Sequence, residues 1–228
     1  VYTNAVVQSK TAIFANRLNK YLYSKKYMNL QVLDINITHS KVGLTNAFDF
    51  RMFYLSKALY TISFWKEYVY QVSSIVFKYT GKLKKAIIFD CDNTLWKGIL
   101  GEDGMTGIDM SPESKIGQIY NKVQQIAVWL SKQGVIVGLC SKNNPGDVEK
   151  VLDEHQDMKL TKEHIVISKV NWQDKATNLR AISKELNIGL DSLVFIDDSS
   201  FEINLIKEQI PEILTMQVPT TALHDYPG

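Results

Sequence analysis

A chain of 228 residues with 45% apolar side chains can bury one sizeable core, or one core and a smaller unit. Lys and Arg total 26 against 24 acids, a near-neutral balance that gives no electrostatic case for a nucleic-acid partner. No apolar run approaches the roughly 18 residues of a membrane span, and no basic-apolar-small leader opens the chain. Two cysteines, Cys91 and Cys140, make neither a disulfide framework nor a metal-ligand spacing, so a reducing cytoplasmic setting is expected. Opening at Val1 and stopping at Gly228, the sequence reads as a piece of a longer protein.

Residues 1–83 are rich in Tyr, Phe, Asn and Lys and read as a partial accessory region. Helical periodicity runs over Thr11–Lys26 and Ile62–Thr80, and a short strand is expected over Leu30–Ile35. No Ser-His-Asp nucleophilic arrangement occurs there; His39 stands alone and reads as an ordinary surface or core histidine. The basic run Lys78–Lys85 reads as a solvated linker.

From Lys84 the pattern changes to strand-then-helix alternation. Strands are expected over Ala86–Phe89, Val135–Leu139, Ile165–Ile167, Leu193–Ile196 and Ile213–Met216. Helices are expected over Lys115–Lys132, Gly146–Glu154, Lys175–Leu186 and Phe201–Gln209. Short continuous apolar strands alternating with helices imply an α/β, three-layer Rossmann-like domain over residues 84–228, its parallel sheet covered on both faces. Such sheets bind ligands at the carboxyl ends of their strands, where helix N-termini also point.

The strand ends carry the chemistry. The first ends in Asp90-Cys91-Asp92-Asn93-Thr94, the second in Ser141-Lys142-Asn143-Asn144 and the fourth in Asp197-Asp198-Ser199, while Asn171-Trp172-Gln173-Asp174-Lys175 opens a helix. Crowded carboxylates repel unless a cation sits among them. Oxygen ligands without His or Cys favour magnesium. With that ion and Lys175 neutralising charge, a carboxylate can approach a phosphoryl group, Ser141 can donate to a phosphoryl oxygen, and Asp92 can move the leaving-group proton.

Other readings are weaker. A calcium loop starting at Asp90 needs Gly at its sixth position and Glu at its twelfth, where this chain has Leu95 and Gly101. A receiver domain carries its acidic pair before the phosphorylated Asp, whereas Asp197-Asp198 comes late. Taken singly, Ser141 reads equally well as a turn residue and Lys175 as a helix-start lysine; their order along the chain is what raises them. Trp96 and Trp172 flank the expected mouth and read first as packing residues.

In this order, Asp-x-Asp-x-Thr, then Ser, then Lys, then an acidic pair, the motifs resemble the haloacid dehalogenase superfamily. The resemblance implies Asp90 as nucleophile and metal ligand, Asp92 as general acid/base and metal ligand through its carbonyl, and Ser141 with Lys175 as the phosphate-positioning pair. It further implies Asp198 as a metal ligand supported by Asp197, and Asn93, Thr94, Lys142 and Asn143 as substrate-side residues. The stretches Asp90–Trp96, Gly101–Gly104, Ser141–Asn144, Asn171-Trp172 with Asp174-Lys175, and Phe195–Asp198 with Glu202 are similar to the narrower FkbH-like family. Around Asp49, Arg51 and Ser56-Lys57 the chain resembles the end of an SGNH-hydrolase-like domain.

Some FkbH-like proteins are associated with taking a glyceryl group from 1,3-bisphosphoglycerate, removing phosphate and loading a carrier-protein thiol; others lie in surface-polysaccharide pathways. The resemblance therefore implies magnesium and phosphate chemistry, with an acyl carrier protein as one candidate partner and an acetyltransferase-like domain as a possible follower beyond Gly228. A non-catalytic phosphate-binding module is the minor alternative, opposed by the intact Asp90 and Asp92.

Gly98, Gly101, Gly104 and Gly107 recur within Leu95–Glu113, which reads as a flap rather than a folded cap domain. An uncapped site admits bulky, carrier-bound or polymer-linked phosphates. Cys91 reads as a small buried residue or, alternatively, as an acyl acceptor, with Cys140 behind it.

Overall fold

The computed structural model describes residues 10–25, 27, 30–81 and 83–227. Lys26, the expected end of the first helix, and Lys82 of the basic run lie outside the described residues. The chain divides into two compact units, Val1–Gly81 and Lys82–Gly228.

In the first unit α1 (Lys10–Ser24), α2 (Ile35–Val42), α3 (Leu44–Ala47), α4 (Phe50–Ser56) and α5 (Ile62–Thr80) follow one another. Side-chain caps set three of the starts: Asp34 accepts from Asn36 N, Asp49 from Met52 N and Thr61 from Phe64 N. The strand expected over Leu30–Ile35 does not form, because the Asp34 cap opens a helix at Ile35 and leaves 30–34 irregular. His39 packs against Phe48 and Phe64, its ring 5.3 and 5.2 Å from theirs. It is a packing residue, as its isolation in the sequence suggested.

The second unit holds a parallel sheet of β1 (Ala86–Phe89), β2 (Ile136–Ser141), β3 (Ile167–Val170), β4 (Leu193–Asp197) and β5 (Leu214–Gln217), in the spatial order β3-β2-β1-β4-β5. Helices α6 (Leu100–Gly107), α7 (Gly117–Lys132), α8 (Pro145–Glu154), α9 (Lys175–Glu185) and α10 (Ser200–Gln209) connect them. Side-chain alternation sorts the strands between two cores. Phe89, Val137, Leu139, Val194 and Ile196 pack with Tyr120 and Val123 of α7 and Val148 and Val151 of α8. Ile88, Cys140, Leu193 and Phe195 pack on the other face with Leu179 and Ile182 of α9 and Ile203 and Ile206 of α10. At roughly 1.5–3 kcal/mol per fully buried aliphatic or aromatic side chain, these two layers dominate the domain's stability.

Sheet order runs outward from β1 to β3, then restarts on the other side of β1 with β4. That reversal opens a crevice above the carboxyl ends of β1 and β4. Phe89 stands opposite Ile196, and Asp90 N donates to Ile196 O at 2.9 Å, so Asp90 and Asp197 emerge side by side at the crevice.

Two sequence expectations shift. β3 pairs over Ile167–Val170, two residues beyond the expected Ile165–Ile167, because Ile165 follows directly on a short helical turn, Lys162–His164. The close fit there uses Gly138: a Cβ at that position would lie 2.7 Å from Ile167 Cγ2 and 2.8 Å from Ile88 Cδ1. The flap over Leu95–Glu113 contains a helix, α6, kinked at Gly104 where φ is 68°. Asp103 accepts from Ile99 N at its start, and Lys97 and Asp109 exchange backbone hydrogen bonds that close the segment's base. The glycine spacing concealed that helix.

Candidate active site

Asp90 follows β1 and Asp197 ends β4, while Asp174 caps α9 by accepting from Thr177 N and so fixes Lys175 at the first helical position. An ammonium gains nothing from a helix N-terminus. Its partners are the carboxylates: Lys175 Nζ lies 2.9 Å from Asp90 Oδ1 and 2.6 Å from Asp197 Oδ2. All three are buried, with Asp197 fully inaccessible. Burial works against the Lys175 charge, but Asp90 and Asp197 outweigh it and hold the ammonium above its ordinary pKa.

One lysine does not balance this group. Asp198, beside Asp197, adds a third carboxylate, and one oxygen from each of Asp90, Asp197 and Asp198 falls within 4.8 Å of the others. Burial, partly offset by Lys175 and reinforced by Asp197, pushes the Asp90 carboxyl up to about 7. Burial and then Asp197 raise Asp198 as well. Carboxyls that resist ionising in close company are the signature of a place that gains from a cation. The donor set is all oxygen, which fits a hard divalent ion. Asp197 already receives Lys175 on Oδ2 and Ser199 N on Oδ1, so Asp90 and the half-buried Asp198 are the carboxylates free to turn toward such an ion.

Asp92 is held differently. Its Oδ1 accepts from Trp96 Nε1 at 3.0 Å and from Leu100 N at 2.9 Å, and its Oδ2 accepts from Asn143 Nδ2 at 2.7 Å. Trp96, which sequence reasoning placed at the mouth or in the core, is fully buried and reaches the site through its indole N–H. Trp172 is 76% exposed, so the packing role expected for it fails.

Ser141 ends β2 and is buried, and with Lys175 it works against the upward push of burial on the Asp90 carboxyl. Lys142 turns to Glu202, Nζ to Oε1 at 2.6 Å, and Glu202 Oε2 is buried without a partner among the described residues. Asn93 takes a left-handed φ of 51°, and its Oδ1 accepts from Lys97 Nζ and Gly98 N, tying the turn after Asp92 to the flap. Thr94 is buried, and its carbonyl accepts from Tyr226 OH at 3.0 Å. The Cys91 thiol is sealed from solvent and pushed well above its ordinary pKa, first by burial and then by Asp90. Cys140 is also buried, its thiol raised to about 12 chiefly by burial. Neither is a ready nucleophile in this state.

Sequence reasoning missed two contributors. Glu202 was noted only as part of a pattern, not as the partner of Lys142. Gln124, buried in α7, donates to Leu95 O at 2.7 Å and accepts from Lys159 N at 2.7 Å, pinning the flap's first residue. A buried glutamine has no local sequence signal, since its partners lie 29 and 35 positions away.

No known family model and no curated protein matches the chain. Among solved structures it is similar to the N-terminal part of the protein BF1531 from Bacteroides fragilis, described as containing a phosphatase domain complexed with Mg. Identity is 29%, the TM-score is 0.82, and the match covers 99% of this chain and 62% of that one. This chain thus spans less than two thirds of that structure's length. A HAD family enzyme from Bacteroides thetaiotaomicron, in complex with magnesium and inorganic phosphate, matches at 12% identity and a TM-score of 0.42, over 60% of this chain and 95% of that one. The parallel sheet with helices on both faces is a Rossmann-like α/β fold, shared with that phosphatase-domain structure.

Proposed function

We propose that this chain is a magnesium-dependent phosphatase that works through an aspartyl-phosphate on Asp90. One observation carries the reading: a buried carboxylate at the sheet's switch point, paired with Lys175 and crowded by Asp197 and Asp198. The likeness to a magnesium-bound phosphatase domain supports it.

Asp90 attacks phosphorus, forming a bond from its carboxylate oxygen while the bond to the leaving oxygen breaks. Asp92 gives that oxygen a proton, then takes one from the water that opens the aspartyl-phosphate and frees phosphate. Ser141 and Lys175 hold the phosphoryl oxygens, and Lys175 also offsets charge on Asp90. Magnesium, held by Asp90, Asp198 and the Asp92 carbonyl, would neutralise the negative charge that otherwise bars a carboxylate from phosphorus.

The test is phosphate release from small phosphoesters with magnesium, with a chelator, and in Asp90→Asn. Release in the wild-type chain with magnesium, and nearly none in the other two, is expected. Asp90→Asn releasing phosphate at the wild-type rate sinks the assignment. The narrower likeness to FkbH-like enzymes extends the proposal to a phosphorylated substrate that is carrier-linked or large. A carrier protein that gains the mass of a glyceryl group from 1,3-bisphosphoglycerate would turn the phosphatase into a glyceryl transferase.

A further inference from the structure

Three donors converge on the Asp92 carboxylate, and they do so unevenly. Oδ1 receives two, Trp96 Nε1 at 3.0 Å and Leu100 N at 2.9 Å, while among the described residues Oδ2 receives Asn143 Nδ2 alone, at 2.7 Å. A carboxylate oxygen has two lone pairs. Oδ1 is therefore filled, and Oδ2 keeps one direction open.

The donors also differ in origin. Trp96 is fully buried and Leu100 N is the first amide of α6, so the Oδ1 contacts belong to the packed base of the flap. Asn143 is buried and lies two residues after Ser141, on the loop that follows β2. From this geometry we infer that Trp96 and Asn143 are positioning residues that divide the Asp92 carboxylate into an anchored oxygen, Oδ1, and a working oxygen, Oδ2. The inference rests on the phosphatase reading of the site and assigns Asn143 to Asp92 rather than to substrate.

The chemistry follows. When the bond from phosphorus to the leaving oxygen breaks, its electron pair stays on that oxygen, which takes the proton from Oδ2. In the second half a water proton returns to Oδ2 as the water oxygen bonds phosphorus. Because Asn143 stands on the loop that carries Ser141, one loop sets both the phosphoryl oxygen's partner and the acid's angle. Misplacement of a catalytic group by about 1 Å can cost about a hundredfold in rate.

The deciding comparison is kcat/KM for an alkyl phosphate and for 4-nitrophenyl phosphate, in the wild type, Asn143→Ala, Asn143→Asp and Trp96→Phe. Proton donation contributes about 10²–10⁴-fold where the leaving group needs it, and nitrophenolate scarcely does. Each variant should lose at least about tenfold more on the alkyl phosphate, with that loss in kcat. Equal losses on both compounds, a loss confined to KM, or no loss overturns the inference. Should Trp96→Phe fail to fold, the two Asn143 variants decide.

A second measurement does not need turnover. The Trp96 indole N–H should exchange slowly with solvent and do so faster in Asp92→Ala; no change between the two overturns the anchoring of Oδ1. A wild-type chain that releases phosphate from neither compound overturns the phosphatase reading, and with it the working role of Oδ2, while the indole result still reports on the anchor.

Discussion

The ammonium of Lys175 sits 2.9 Å from Oδ1 of Asp90, both groups almost closed to water. A buried cation between buried anions looks like a strut, yet desolvation of each partner offsets much of the attraction. The asymmetry appears when one partner is removed. Lys175→Met should leave Asp90 and Asp197 facing each other and cost about 3–5 kcal/mol in metal-free urea unfolding near pH 8. The cost should shrink at pH 5, where Asp90 holds a proton. A loss as large at pH 5 as at pH 8 would mean that Lys175 stabilises by packing instead of charge.

The same crowding makes stability fall with rising pH when no divalent ion is present. Asp90 titrates near 7 in the folded chain, against about 3.9 for an unfolded aspartate. Between those values the folded state keeps a proton that the unfolded state has released, so each step upward in pH favours unfolding, by at most about 1.4 kcal/mol per unit. Asp198 is shifted the same way. With a chelator, the urea midpoint should drop from pH 5 to pH 7. Adding magnesium at pH 7 should restore it, since bound metal favours the ionised carboxylates. A midpoint that climbs over this range with the chelator present contradicts the burial-driven shift of Asp90.

Adjacent aspartates at the end of β4 should separate cleanly. Asp197 is inaccessible and receives Lys175 and Ser199 N, whereas Asp198 is half-buried and raised by its neighbours. Asp198→Asn should not destabilise the metal-free chain, since it removes a repelling charge, while raising the magnesium needed for half-maximal phosphate release at least about tenfold, the scale on which metal-site changes act. Asp197→Ala should instead destabilise the metal-free fold by about 3 kcal/mol, because it strands Lys175 beside Asp90 alone. Metal titration and unfolding of the two variants check this. Equal stability losses in both would erase the distinction between support and ligand.

Much of this site could be read from residue order, for a physical reason. Asp90, Ser141, Lys175 and Asp197 stand at strand ends or a helix start, where apolar periodicity stops and polar residues begin, so the boundary marks the candidate site. What could not be read depends on which side chains cross the fold. Asn143 meets Asp92 51 positions away, and Lys142 meets Glu202 60 positions away. The strand expected over Leu30–Ile35 failed for a local reason, since one capping aspartate outweighed a short apolar run. Trp172 failed for another: nothing in an Asn-Trp-Gln stretch tells whether the ring has a wall to pack on.

Two glycines, one inside the flap and one just beyond it, should behave oppositely. At Gly117, just past the flap, a Cβ would stand 2.3 Å from Asp109 Oδ1, 2.5 Å from Ser111 N and 2.7 Å from Ser111 O. Two of those atoms are backbone and cannot swing aside. Asp109 also closes the flap's base against Lys97, and Gly117 N donates to Ser114 Oγ at 2.8 Å. Gly117→Ala must therefore push the whole turn outward, costing about 1–3 kcal/mol in stability. Gly101, inside α6, meets nothing within 4 Å. Alanine there only removes backbone freedom from the unfolded chain and should stabilise by about 0.4–1 kcal/mol. Urea unfolding of the two variants side by side tests the pair. If Gly117→Ala proved neutral, the turn would be looser than its contacts require; if Gly101→Ala destabilised, α6 would not be the helix that brings Leu100 N to Asp92.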